Sequence, residues 1–174
     1  MNRPTSGNDD QAAGLRSWAA RQDIAVEETP DRRVAPRLRT LMVVGLPDSS
    51  RQQRQRVEQV LHDWHAGGQR WIGDPGAWRV VALDAASPHL TVLADQQPRW
   101  ALWVDSDLEG FRRAYLALKS LRSRQGPRRL LAIHPGFASR SGLLNNLQQA
   151  AADFLGIELL VLDGSTSGRV GRRA

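Results

Sequence analysis

Five short apolar runs, "TLMVVG", "WRVVALD", "RWALWVD", "RRLLAIH" and "IELLVLD", alternate with amphipathic stretches along this 174-residue chain, and no other feature constrains its fold as tightly. Runs that are apolar at nearly every position suit strands buried on both faces, with the helical segments between them supplying the cover. Stretch 49–66 puts Val57, Val60, Leu61 and Trp64 on one helical stripe, and 107–124 and 140–154 read as further helices. The pattern predicts an α/β fold built on a parallel, doubly wound, Rossmann-like sheet. Between 85 and 98 two readings stay open, since "HLTVLA" suits either a short strand or part of a crossover.

The flanks have a different character. Asp10 is placed to cap a helix over the Ala-rich "QAAGLRSWAA", with Gln11, Leu15 and Trp18 falling on one side. Residues 23–38, "DIAVEETPDRRVAPRL", hold two prolines, opposing charges and no sustained period, and read as a tether. Trp64, Trp100 and Trp103 lie on apolar faces and are expected in the core, whereas Trp18 lies outside the domain.

Composition removes several functions. With no cysteine, disulfides and thiolate metal sites are excluded, which fits a reducing cytosol. "MNRPTSGNDDQ" lacks the apolar core of a signal peptide, and no run approaches the ~20 residues of a membrane span, so a cytoplasmic location is expected. The net charge of +6 rests almost wholly on arginine, Lys119 being the single lysine. Clusters at Arg32, Arg33, Arg37 and Arg39, at Arg51, Arg54 and Arg56, at Arg128 and Arg129, and at Arg169, Arg172 and Arg173 allow nucleic-acid contact. Their dispersal through linker, helix, turn and tail favours solvated surface.

Ligands in open α/β sheets bind beyond the carboxyl ends of the strands. The first such loop, Gly45-Leu46-Pro47-Asp48-Ser49-Ser50, has the strand-turn-helix layout of a phosphate loop but neither its glycine spacing nor its lysine. Asp84, Asp105 and Asp107 stand at later strand ends, where they would hold magnesium together with Ser49 or Ser50. Acids at such positions more often cap the next helix, as Ser106 or Asp107 would before "LEGFRRAYLALKSL". His134 precedes a proline with no histidine at metal-ligand spacing. Accordingly no catalytic residue, metal ligand or cofactor is assigned.

Two segments carry a resemblance. "PRWALWVDSDLEGFRRAYLALKSLRSRQGPRRLLAIH" and the later "AAADFLGIELLVLDG" are similar to the C-terminal half of MinD/ParA-type (SIMIBI) ATPases, most of all FlhG, also called FleN, the regulator of flagellar number and placement. Arg113 to Lys119 resembles the family's "Asp-Ala-Tyr-Ala-x-x-Lys" helix, and Asp153 to Gly164 resembles its "x-x-FLG-x-x-L-x-x-LG". FlhG proteins also carry a D-Q-A-x-x-L-R segment, matched here by Asp10-Gln11-Ala12-Ala13-Gly14-Leu15-Arg16. In the family this segment docks as a helix on the signal-recognition-particle-type GTPase FlhF and stimulates hydrolysis.

The departures are equally specific. The family's K-G-G-x-G-K-[ST] loop has two lysines, and Gly45 to Arg51 offers neither; Lys119 lies inside a later helix. His134 stands where the family places an asparagine near the adenine, and the segment between the first helix and "RWALWVD" is too short for the family's full set of strand-helix units. No membrane-targeting amphipathic helix follows Asp163.

The resemblance implies a partner-binding helix at 1–22 (Asp10, Gln11, Ala12, Leu15, Arg16, Trp18), a flexible linker at 23–38, a degenerate MinD/FlhG-like domain at 39–164 and a basic tail at 165–174. It further implies a non-enzymatic pseudo-ATPase with a degenerate phosphate loop (Gly45, Asp48, Ser49, Ser50). Such a protein would engage an FlhF-like GTPase in flagellum biogenesis and be recruited to the cell pole. Two alternatives are a transcription-factor- or nucleic-acid-binding regulator using the arginines, and a MinD-like partner in cellulose or pilus secretion.

Overall fold

The computed structural model describes residues 37–136 and 141–162, all inside the unit Arg37–Ala174, which is distinct from Met1–Pro36. The strands are β1 (Arg39–Val44), β2 (Trp78–Ala82), β3 (Trp100–Trp103), β4 (Arg129–Ile133) and β5 (Glu158–Leu160). They form one parallel sheet in the order β2-β1-β3-β4-β5. The helices are α1 (Arg51–Ala66), α2 (Leu90–Gln96), α3 (Leu108–Ser123) and α4 (Ser141–Ala150), the last continued by a π turn at Ala151–Leu155. Among the described residues no helix is long and apolar enough to cross a membrane.

The strands form because alternate side chains find cover on opposite faces. Leu41, Val43, Val80, Ala101, Trp103 and Ile133 face α1 and meet its Val57, Val60 and Leu61. Met42, Val44, Leu102, Leu130, Ala132 and Leu159 face the other way, against α2, α3 and α4. The sheet is thus doubly wound as expected. Chain direction reverses about β1, from which β2 lies on one side and β3 on the other, so the topological switch point falls between β1 and β3.

Local chemistry sets the helix ends. Ser50 caps α1 by accepting from the Gln53 amide, and Asp107 caps α3 by accepting from Gly110 at 2.5 Å. Gly156 supplies the left-handed φ of 62° that stops the π turn and sends the chain into β5.

"HLTVLA" lies mostly in α2, which settles the open reading in favour of the crossover: Leu90 is buried against the sheet face that α3 also covers. β5 is shorter than its apolar run, for pairing with β4 ends at Leu131↔Leu160. Gln148 Nε2 donates to the Leu159 carbonyl at 2.8 Å. Trp100 and Trp103 are core as expected. Trp64 is only partly buried, with its ring against Trp71 and His134 at the margin of the α1 cluster.

Candidate functional site

A cavity of ≈ 630 Å³ opens at the carboxyl ends of β1 and β2, the position where ligands bind in this architecture. Its walls are the β1–α1 loop from Gly45 to Ser49, the β2–α2 loop from Ala82 to Ser87, and Arg113, Leu116, Ala117 and Ser120 of α3. Gly45 is the tight point of the first loop. Its φ is +85°, and a Cβ there would sit 2.9 Å from the Trp103 carbonyl oxygen, so the turn lies directly on the end of β3.

The N-terminus of α1 already holds a negative charge. Asp48 Oδ1 accepts from the Ser50 amide at 2.7 Å, while the Ser50 hydroxyl accepts from the Gln53 amide at 3.3 Å. The Ser50 hydroxyl, and then its amide, hold the Asp48 carboxyl below the usual carboxylate range. Across the cavity Asp84 accepts from the Ala86 amide of its own loop at 2.8 Å. A phosphate here would have to displace Asp48 from the Ser50 amide and then face two carboxylates.

The switch point itself carries a clamp. Asp105, with a side chain 12% exposed, accepts from Arg56 of α1 at 2.5 Å through one oxygen and from Arg113 of α3 at 3.2 Å through the other. The Arg56 guanidinium also lies 4.9 Å from the centre of the Trp103 ring. One carboxylate at the end of β3 therefore ties together helices from both faces of the sheet. The indole N–H of Trp103 is buried and has no acceptor among the described residues.

The three acids of the magnesium reading accordingly have separate tasks. Asp84 caps a turn, Asp105 binds two arginines and Asp107 caps α3; among the described residues no group of acids and histidines is arranged to hold a metal ion. Of the degenerate phosphate loop, Gly45, Asp48, Ser49 and Ser50 are brought to one cavity edge or its adjoining cap. Asp10, Gln11, Ala12, Leu15, Arg16 and Trp18 lie outside the described residues, as do the assigned linker up to Pro36 and the basic tail. The Asp105 clamp escaped sequence reasoning because Arg56 and Asp105 are 49 residues apart, and only the assembled sheet brings them together.

His134, at the end of β4, accepts from the Gly136 amide through Nδ1 at 3.2 Å and meets Trp64 edge to face with ring centres 6.2 Å apart. Burial holds its pKa below the ordinary 6.5. Neutral His134 therefore contributes stability that is complete above pH 6.5 and is lost as the pH falls from there towards the lower folded-state pKa. Between about pH 7.5 and 5.5, wild type should lose more melting temperature than His134→Gln, measured by parallel thermal melts. Equal losses would show that His134 does not titrate differently on folding.

No protein-family model matches the chain, and a search of curated proteins gives no match.

Proposed function

We propose that this protein is a non-catalytic adaptor of the FlhG type, which uses residues 1–22 to bind and stimulate an FlhF-like GTPase during assembly of a polar organelle such as the flagellum. The observation that carries the non-catalytic part is the Asp48 carboxylate seated on the amide of Ser50, where a nucleotide phosphate would otherwise lie. The Asp105 clamp supports it as well, because a carboxylate held by two arginines has little capacity left for magnesium. The choice of partner rests on the resemblance of Asp10 to Arg16 to the D-Q-A-x-x-L-R segment.

A nucleic-acid-binding role draws less support from the described arginines. Arg56 and Arg113 serve Asp105, Arg129 pairs with Glu158 at 2.7 Å, and Arg39 and Arg99 lie over the Trp78 ring. These contacts compete with phosphate for the same guanidinium donors.

The test has two arms. ATP with magnesium should give no heat of binding in calorimetric titration; a micromolar Kd, about −8 kcal/mol, would overturn the pseudo-ATPase reading. A peptide of residues 1–22 should raise the GTP hydrolysis rate of the cognate FlhF-like GTPase. Leu15→Asp should abolish the effect by burying an unpaired charge, at a cost of several kcal/mol. Gln11→Ala should reduce stimulation more than binding, because a glutamine can orient an attacking water without supplying much contact area. A wild-type peptide that neither binds nor stimulates would move the function to the globular unit.

A further inference from the structure

Among the described residues the α1 face of the sheet is only half covered. α1 buries Leu41, Val43, Ala101, Trp103 and Ile133, yet Leu131 is only partly buried and Leu160, its register partner on β5, is 42% exposed. Parallel sheets bury both faces, so an apolar row left open across β4 and β5 requires a cover. The space above it is a groove of ≈ 690 Å³ bounded by Trp71, itself 45% exposed, and by Trp78.

Charge decides what fits. Two residues before the apolar row stand Arg99, Arg129 and Glu158, and Arg39 lies one further step back on β1, all on this face by strand alternation. Glu158 answers Arg129, whereas Arg39 and Arg99 have no carboxylate partner among the described residues and lie 5.6 and 5.9 Å from the Trp78 ring centre. A second copy of the chain would set this arginine row against its own like charges. Residues 163–174 offer one large apolar side chain, Val170, and three arginines, so they too are repelled and have little to bury.

We propose that the open face of β4 and β5 is a docking groove for an amphipathic helix of a partner protein, one whose apolar stripe seats on Leu131 and Leu160 and whose flanking carboxylates meet Arg39 and Arg99. This is helix-in-groove recognition with an electrostatic filter. It is independent of the role of residues 1–22 and gives the chain a second attachment point.

The probes are two labelled synthetic helices of about 18 residues, each with leucines at i, i+3, i+4 and i+7, one flanked by glutamate and the other by lysine. Titrated with the full chain, the glutamate peptide should bind at micromolar Kd and the lysine peptide about tenfold or more weakly. Leu160→Asp should weaken the glutamate peptide by about tenfold or more without lowering the melting temperature, because the side chain is substantially exposed; Leu160→Ser provides a milder second variant. Arg99→Glu should narrow the gap between the peptides. Three results would overturn the proposal: no binding, or equal binding of both peptides; self-association reversed by Leu160→Asp in sedimentation equilibrium, which assigns the groove to a second copy; and tighter peptide binding in full-length Leu15→Asp, which assigns it to the chain's own N-terminal segment.

Discussion

Gly110→Ala is expected to lower the melting temperature by about 10 °C, the equivalent of about 3 kcal/mol in a unit of this size. Helix propensity alone predicts the opposite sign, since alanine is favoured over glycine within a helix by about 1 kcal/mol. The difference comes from position. Gly110 lies in the first turn of α3, and a Cβ there would stand 2.8 Å from the Asp105 Cα and closer still to its Cβ. The obstruction is backbone, so α3 must move away from the end of β3. That movement pulls Arg113 from Asp105 and strains the Asp107 cap, adding to the 1–3 kcal/mol usual for overpacking. Gly142, in α4, has nothing within 4 Å of its Cβ position, so Gly142→Ala should be neutral or slightly stabilising. Chemical denaturation of both variants checks the pair, and a stabilised Gly110→Ala would show that α3 is not held against Asp105.

Asp105→Ala should cost about 2 kcal/mol by denaturant unfolding. Removing one partner of a fully buried ion pair costs about 3–5 kcal/mol, and the value is lower here because water reaches the arginines, whose side chains are 38% and 35% exposed. The remaining guanidiniums of Arg56 and Arg113 would then face each other without a carboxylate between them. Inorganic phosphate should consequently raise the melting temperature of Asp105→Ala more than that of wild type, by linkage to an anion site that the substitution creates. An equal response to phosphate in both proteins would argue that the arginines swing into solvent once Asp105 is gone.

Much of the architecture was legible because one physical constraint governs it. A strand buried on both faces must be apolar almost throughout, and the runs around Val43, Leu102 and Ala132 satisfy that without ambiguity. Leu90 to Gln96 was harder to read. Seven residues of helix give just under two turns of period, and "HLTVLA" mixes the β-branched Thr91 and Val92 with Leu90 and Leu93. The capping duty of Asp107 was legible because it acts within three residues; that of Ser50, in a loop with the layout of a phosphate loop, was not. The Asp105 clamp was not, since Arg113 is only eight residues away but Arg56 comes from the opposite face of the sheet. The half-covered face also escaped notice: periodicity identifies which residues of β4 and β5 alternate, but not whether a helix lies over them.

Gln148 has one further consequence. Glu158 directs its amide to Arg128 on the β4 side, so by strand alternation the neighbouring Leu159 turns its own carbonyl outward, along the free border of the sheet. Such a border is a template on which another chain's strand can add, the first step toward fibres. Gln148 already occupies that acceptor, and β5 is only three residues long, so lateral growth by strand addition has almost nothing to grip. The protein can therefore leave apolar surface open on the flat of its sheet beside β5 without that border seeding polymerisation from the side.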